Sequence, residues 1–582
     1  MRSALFRRTI PIAAAALLAA FLLPAAGASA AGPAARRPVP PSLPLRARIT
    51  GAVIPGTSTA APAAPATVSG LPSKQDQIKV LTAVLARMKE NFAQFAATTP
   101  GPADIFGYNI DALWRQGIDG AGTTIAVMEG WRYLDIANQV AMFDKQFGLP
   151  DPQIQTIYPA GPLPAKCPAG MVKLQSYGSC NAWQNELTLD VLAAHLVAPY
   201  AKIIISATPA DTEVTGDPAE NVAMPEIMKG VEYIASNHLA DVMSISDGTG
   251  ETTYPAGPAQ ITSQNAAELT AAANGVPVLA ATGDCGVVQN LAVATAQCSK
   301  TSPTPDTAAW DDSPWVTAVG GSVPNLDPST GQRLGPDPLW HAYGALAEGA
   351  GFSAVFPRPA YQDGVAGITG SAMRSVPDIT LDSQDGTSES APLMAGILAL
   401  ATQVNKADVG PINPALYGVL GPRGAQAGIA DVVKGNNSVT TPDGKTVRGF
   451  TAGQGFDVAS GWGALSAARF VPALAAATAA SHQDQAVRAQ ARAQLTALQH
   501  SVQLSARHIP AGGTSYLLGP NFLPGHPVHF AIDGHAVATL TANSLGDVTY
   551  MIDPSLLKLA PGNHTITLNG MLLTESATIT TG

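Results

Sequence analysis

Charge is scarce in this 582-residue chain: Asp, Glu, Lys and Arg together make up only 13% of it. The 32 basic residues are outnumbered by 42 acidic ones, for a net charge of −10. With no basic surplus to neutralise phosphates, neither nucleic acid nor anionic lipid is an expected partner. Cysteine is nearly absent, with four residues in two close pairs, Cys167/Cys180 and Cys285/Cys298. Neither pair has the short Cys-x-x-Cys spacing of common structural zinc sites, which argues against zinc. Beyond the N-terminus no apolar run is long enough to suggest a membrane span. A sparsely charged, mildly acidic chain suits a protein that is exported and works in acid, where protonation removes carboxylate repulsion.

What is present begins with an export signal. Arg2, Arg7 and Arg8 precede an apolar run from Ile10 to Leu23, and Ala28-Ser29-Ala30 supplies small residues for cleavage. Residues 1–30 therefore read as a signal peptide and the mature chain as secreted and extracellular, with no transmembrane segment once the signal is removed. In that setting the four cysteines read as disulfides. Pairing within each close pair, Cys167 with Cys180 and Cys285 with Cys298, is favoured among the three possible connectivities. Residues 31–72 are rich in Ala, Pro, Ser, Thr and Gly and read as a linker without a fold. A helix is expected from Lys74 to Ala97, where Ile78, Leu81, Val84, Leu85, Met88, Phe92 and Phe95 recur at helical spacing.

A β/α alternation follows. Strands are expected at Thr123–Met128, Lys202–Ser206, Asp241–Ile245, Val276–Ala281 and Trp315–Val319. Helices are expected at Tyr133–Phe147, Gln184–Val197, Pro225–Asn237 and Ala259–Asn274. Apolar strands without period-two alternation, separated by helices, indicate a parallel sheet covered on both faces, with its active site at the carboxyl ends of the strands. After Phe470 the chain turns Ala- and Gln-rich, reading as a helical spacer with a solvated face. Short alternating runs beyond Thr514 read as a small all-β sandwich. The segment Gly519-Pro-Asn-Phe-Leu-Pro-Gly525 resembles the first-hairpin region of immunoglobulin-like modules.

Three features can carry chemistry. Asp385-Gly-Thr-Ser388-Glu-Ser-Ala-Pro-Leu-Met-Ala-Gly396 places a hydroxyl among small residues at the mouth of an apolar helix, as a nucleophile requires, although Gly-Thr-Ser is also an ordinary N-cap. Glu186 and Asp190 stand four apart on one helix, so they share a face. Held among Leu187, Leu189, Val191 and Leu192, such a pair pushes one carboxyl's pKa upward, shares a proton and can act as a base, whereas on a solvated face it would do nothing. Asp284 follows an apolar strand and sits between glycines. As a neutral acid it can donate to a developing oxyanion; as a turn residue it would merely cap Gly286.

Taken in order, these pieces resemble the sedolisins, serine-carboxyl peptidases of subtilisin-like fold. The matching set is Glu186-Leu-Thr-Leu-Asp190, Ser246-Asp247-Gly248, Thr282-Gly-Asp284-Cys-Gly286, Pro314-Trp-Val-Thr-Ala-Val-Gly-Gly321, Gly351 to Gln362, Val376-Pro-Asp378, Gly386-Thr-Ser388 and Ala391-Pro392. It spans roughly residues 106–470. The resemblance implies that Ser388 is the nucleophile, Glu186 its general base, Asp190 the residue orienting and coupled to Glu186, and Asp284 the oxyanion donor. It also implies that Ser246, Asp247 and Gly248 bind extended polypeptide substrates. Asp431, Val432, Gly453, Gly455 and Asp457 resemble the family's calcium site, an all-oxygen set for one structural Ca2+. A carboxylate base and a protonated oxyanion donor both imply activity in acid. The ordinary subtilisin reading fails for want of a His-Gly-Thr motif, and the first strand leads into Glu129-Gly130-Trp131. His195 points away from Glu186 on its helix and reads as a surface or packing histidine.

The expected organisation is a signal peptide (1–30), linker (31–72), helical pro-segment or N-terminal extension (73–104), peptidase domain (105–473), helical spacer (474–510) and immunoglobulin-like β domain (511–582). A monomer is expected, with a surface ligand for the C-terminal domain in prospect. Two departures from the family stand out. The pro-region is reduced to one helix, and the approach from Asp378 to Ser388 lacks a hairpin, with Asp385 in place of a glycine. These features support a rival expectation, a catalytically impaired protein using the same fold as a peptide-binding or adhesion module.

Overall fold

A computed structural model of the chain describes residues 48–53, 70–167, 180–208, 224–254, 256–290, 298–342, 346–480 and 483–582. The expected signal peptide and most of the expected linker lie outside them.

An eight-stranded, wholly parallel sheet organises the molecule. Its strands are β1 (Arg48–Val53), β2 (Thr124–Glu129), β3 (Gln153–Ile157), β4 (Lys202–Ala207), β5 (Val242–Ile245), β6 (Val278–Ala281) and β7 (Val316–Ser322). The antiparallel pair β8 (Gly351–Pro357) and β9 (Met373–Val376) follows, and β10 (Ile379–Asp382) completes the large sheet, whose order is β1-β3-β4-β2-β5-β6-β7-β10. The run of buried residues along the central strands has a simple cause: both faces are covered. In β6, Leu279 and Ala281 join one apolar core while Val278 and Ala280 join the other. The first core is completed by the helices Lys74–Glu90, Thr387–Asn405 and Ala467–Ala480, the second mainly by Met224–Asn237 and residues of Asn265–Asn274.

Several expectations change. The single helix read across 74–97 is two, Lys74–Glu90 and Phe92–Phe95; Asn91 is the first helix's C-cap, and its N–H bonds back to Arg87 O. The helix read across 259–274 is likewise broken, into Pro258–Thr262 and Asn265–Asn274. Within the stretch read as an unfolded linker, β1 pairs in parallel with β3 at the sheet edge, supplying the β3 backbone with partners that composition cannot reveal. Strands β3 and β10 were not anticipated at all.

The C-terminal region holds a five-stranded and a three-stranded sheet packed around Leu517, Phe522, Phe530, Ile566 and Ile579. Beyond Thr514, where short alternating runs read as a sandwich, strands form at Ser515–Gly519, Pro527–Ile532, His535–Thr541, Val548–Ile552, Gly562–Asn569 and Thr574–Thr581. The two-residue strands Gln503–Leu504 and His508–Ile509, from the stretch reading as a spacer, complete the sheets. The helix Gln483–Gln499 is docked rather than simply solvated. Arg488 Nη1 and Arg492 Nε donate to Asn274 O and Ala273 O, each at 3.1 Å, placing two cations on the C-terminal carbonyls of helix Asn265–Asn274. Leu572, from the C-terminal sandwich, is buried in the second core of the large sheet, so the two regions share packing.

Candidate active site

The parallel sheet brings distant residues to one edge. Met128 is in register with Ile245, and Ile245 with Ala280. Glu129, Ser246 and Ala281 therefore lie one rung further on, at the carboxyl ends of β2, β5 and β6. The helix Cys180–Val197 runs above this edge. Leu187 and Val191 are buried in the core, and Glu186 and Asp190, each one residue earlier, turn toward the strand ends. Gly130 allows the approach: a Cβ there would lie 2.4 Å from the Trp183 ring.

Ser388 is the second residue of helix Thr387–Asn405. Its Oγ donates to Ser246 O at 3.1 Å. Ser388 is near enough to the Glu186 carboxyl to lower its pKa, and Glu186 Oε1 is buried without a hydrogen-bond partner. Pro392 explains a second contact. A proline has no N–H to return to the carbonyl four residues back, which leaves Ser388 O without its helical partner. The Ser246 hydroxyl takes that place, donating to Ser388 O at 3.1 Å.

Asp284 caps the same helix. Its Oδ1 accepts from Thr387 N–H at 2.7 Å and from Thr387 Oγ1 at 2.8 Å, satisfying a first-turn amide that has no intrahelical partner. With Oδ1 receiving two donors, a proton on this carboxyl belongs on Oδ2. Gly386 makes the geometry possible. Its φ of 94° and ψ of 169° suit glycine, and a Cβ would sit 2.6 Å from Asp284 Oδ2. Beneath this turn, the Glu348 carboxyl accepts from Thr282 Oγ1 at 3.0 Å and from Gly321 N–H, fixing the end of β6 that leads to Asp284. A Cβ on Gly320 or Gly321 would collide with that carboxyl.

Burial dominates the electrostatics. Glu186 is pushed up to about 8, first by burial and then, against a lowering contact from Ser388, by the charges of Asp284 and Asp247. Asp190 is wholly buried, neither of its oxygens has a hydrogen-bond partner of good geometry, and its pKa rises through burial and the neighbouring Glu186. Glu129 is also wholly buried, with both oxygens unpartnered. Burial and then the charges of Asp190, Glu186 and Asp247 hold it well above the carboxylate range. Three carboxyls thus share one cavity and resist a second ionisation. Glu129 was noted in the sequence only as a departure from the subtilisin pattern; its position at the end of the first buried strand was the available signal. Asp247, pushed up to about 7 by burial, lies with Gly248, Thr249, Gln289 and Asn290 in the pocket beside Ser388 and Asp284.

The structure thus brings Glu186, Asp190, Asp284, Ser388 and the Ser246–Gly248 segment together. His195 does not join them. It is wholly buried, with Nε2 2.8 Å from Asp144 Oδ1, and is a packing rather than a surface residue. Both expected disulfides are formed, Cys167–Cys180 and Cys285–Cys298, and the second holds the loop immediately after Asp284. Asp431 and Asp457 stand apart from this site. Gly455 N–H donates to Asp431 Oδ2 and Gly453 N–H to Asp457 Oδ2, both at 2.8 Å, so one turn bridges the two carboxylates. Asp431 Oδ1 is buried without a partner.

Comparison with known proteins bears on the family and the fold. The Subtilase family model matches residues 179–419. The chain is 29% identical over 386 residues to kumamolisin of Bacillus sp. (strain MN-32), covering 62% of this chain and 61% of that protein. It is 28% identical over 256 residues to tripeptidyl-peptidase 1 of Homo sapiens, covering 39% and 41% respectively. The chain therefore spans well under two thirds of each relative's length. Among solved structures, Pseudomonas sedolisin, a serine-carboxyl proteinase complexed with two molecules of pseudo-iodotyrostatin, superposes with a TM-score of 0.50 at 22% identity. The match covers 61% of this chain and 92% of that one and bears on the fold.

Proposed function

The chain belongs to the sedolisin family of subtilisin-like serine peptidases, and from that premise we propose that it hydrolyses peptide bonds in acid through an acyl-enzyme on Ser388. The observation that carries this reading is the convergence on Ser388 of a neighbouring buried carboxyl, Glu186, and a helix-capping carboxyl, Asp284.

In the forward step Ser388 Oγ attacks the scissile carbonyl carbon while Glu186 takes the hydroxyl proton. Asp284, protonated on Oδ2, donates to the carbonyl oxygen as it becomes an oxyanion. Collapse expels the amine, which receives the proton from Glu186, and leaves an ester on Ser388. Water, deprotonated by the same carboxylate, then releases the acid. Asp190 positions Glu186 and shares its charge, and Glu129 extends the set. A single negative charge shared by these three carboxyls would supply the base; burial raises their pKa values and works against that ionisation in acid, so the acid dependence rests on the proton that Asp284 must keep. A second negative charge would meet strong repulsion, and neutral pH would remove the proton from Asp284. Activity is therefore expected in acid and lost toward neutrality. The Ser246–Gly248 segment, which lines the pocket beside Ser388, would bind the extended substrate.

Two carboxylates on bridged turns and a buried, unpartnered Asp431 Oδ1 fit a structural Ca2+ held by Asp431, Asp457 and the carbonyls of Val432, Gly453 and Gly455. When bound, the ion would pin these two turns. The disulfides suit an exported protein, and Edman sequencing of the secreted form should begin near Ala31.

The deciding assay is hydrolysis of a denatured protein at pH 3–5 by the wild type and by Ser388→Ala, with released peptides read by mass spectrometry. Equal product from both proteins would refute the proposal.

A further inference from the structure

The pocket beside Ser388 holds a carboxyl to which the proposed mechanism gives no chemical step. Asp247 lies two residues past the end of β5 and directly follows Ser246, whose carbonyl oxygen is 3.1 Å from Ser388 Oγ. The backbone here is closely packed: a Cβ on Gly248 would stand 3.2 Å from the Trp310 ring and 3.3 Å from Ala308. Asp247 itself is half-buried and lines the pocket together with Ser388 and Asp284.

Its carboxyl is short of partners. Oδ1 accepts from Gly248 N–H at 2.8 Å, the one hydrogen bond to this carboxyl among the described residues, and among them it forms no ion pair. The charges around it have its own sign, for Asp247 stands near enough to Glu186 and Glu129 to raise the pKa of each. Of the described residues lining the pocket, Asp247 and Asp284 are charged, and none is Lys, Arg or His. Asp284 is already engaged: its Oδ1 receives both Thr387 donors, and its other oxygen is the one that would serve the oxyanion. Asp247 is therefore the acid in the pocket that lacks a counter-charge and has an oxygen to offer.

We propose that Asp247 selects polypeptides carrying a Lys or Arg side chain close to the scissile bond, its Oδ2 receiving the ammonium or guanidinium. This selectivity rests on the reading of polypeptides as the substrates of the Ser388 site. An acidic side chain would add a like charge to the pocket and an apolar one would leave the carboxyl unpaired, whereas a cation supplies what the protein does not. Burial pushes the Asp247 pKa up to about 7, so in acid the empty pocket holds a neutral acid. An arriving cation favours the carboxylate, and the cost of that ionisation trims the gain. A charge-assisted hydrogen bond reduced in this way corresponds to a preference of about tenfold.

The test uses the full chain at pH 5 in two arms. In the first, wild type and Asp247→Asn digest a denatured proteome, and the cleavage sites are read by mass spectrometry. Lys and Arg should be enriched about tenfold at one substrate position in the wild-type digest and should return to background in the variant. Enrichment is a ratio within each digest, so a general loss of turnover cancels. In the second arm, Ser388→Ala and Ser388→Ala/Asp247→Asn are titrated calorimetrically with hexa-alanine peptides bearing Lys or norleucine at each position in turn. The Lys peptide should bind about tenfold more tightly at one position, and the double variant should lose that difference. Near-UV circular dichroism checks folding, and Asp247→Ser replaces Asp247→Asn if the latter does not fold. The proposal is overturned if an active wild type shows no enrichment of Lys or Arg, if the Asp247 variant keeps the enrichment, or if Ser388→Ala does not favour Lys at any position. Absence of cleavage by the wild type, with the binding preference present and dependent on Asp247, would refute the hydrolytic role of Ser388 and support the selectivity of Asp247.

Discussion

Gly386→Ala offers the sharpest probe of how the oxyanion donor is positioned. The new Cβ would stand 2.6 Å from Asp284 Oδ2 and 3.2 Å from its Cγ, about 0.8 Å short of ordinary van der Waals contact with the oxygen. The backbone cannot give way cheaply, because φ is 94° at ψ 169°, where an L side chain costs about 1–3 kcal/mol. The carboxyl must therefore swing, and it is held by two hydrogen bonds from Thr387, each worth roughly 0.5–1.5 kcal/mol. The expected cost is about 2–6 kcal/mol of stability, read as a fall in the urea midpoint. A larger effect should appear in turnover, since losing one oxyanion donor costs about 10²–10³-fold in kcat. Asp284→Asn separates the two contributions: it keeps the cap and the fold but cannot supply the acidic proton, so kcat should fall while the urea midpoint barely moves. Wild-type kcat at pH 4 in Gly386→Ala would refute the idea that this turn aims Asp284.

Three other outcomes follow from the same structure. Glu268 is buried with one hydroxyl partner, Ser313, and burial lifts its pKa from the ordinary 4.5 to about 7. A carboxyl raised in the folded state contributes stability that is complete below the unfolded pKa and is lost as pH rises through the folded one. The urea midpoint should therefore decline between about pH 4 and 7, and Glu268→Gln should recover about 3 kcal/mol at pH 8 with little change at pH 4; a pH-independent wild-type midpoint would contradict this. His195→Ala should leave kcat near wild type yet cost about 1–3 kcal/mol, because Asp144 would be left buried without its hydrogen-bond partner; loss of turnover in a folded variant would return His195 to the chemistry. A chelator should lower the thermal midpoint at pH 6, and Asp431→Ala should abolish at least part of that response; at a free Ca2+ concentration one hundred times Kd the linkage is about 2.7 kcal/mol per site.

The chemistry was legible where residue type and local spacing specify it. Glu186 and Asp190 share a helical face by periodicity alone, Ser388 follows a glycine and precedes an apolar helix, and Asp284 ends a buried strand. The closeness of the cysteines within each of two pairs, in a chain read as exported, anticipated both disulfides. Legibility failed where the decisive partner is remote in sequence. β1 and β3 lack the apolar runs of the central strands and acquire their strand character from pairing at the sheet edge. The spacer helix carries Arg488 and Arg492, which read as solvated until the carbonyls of Asn274 and Ala273 meet them.

Sequence by itself determined the class of the fold and the kinds of groups that could act, because apolar periodicity, turn residues and i,i+4 spacing are local properties. Tertiary structure alone decided how those groups are tuned. Only the parallel register of β2, β5 and β6 sets Glu129 beside Glu186 and Asp190, and only the crossing of helix Thr387–Asn405 with the Asp284 turn makes Gly386 necessary. The stretch before Ser388 acquires its meaning in the same way: Asp382 and Glu389 meet Asp104 from nearly three hundred residues away. Burial turns ordinary carboxyls into groups that must share protons or a cation, and burial is a property of the assembled chain.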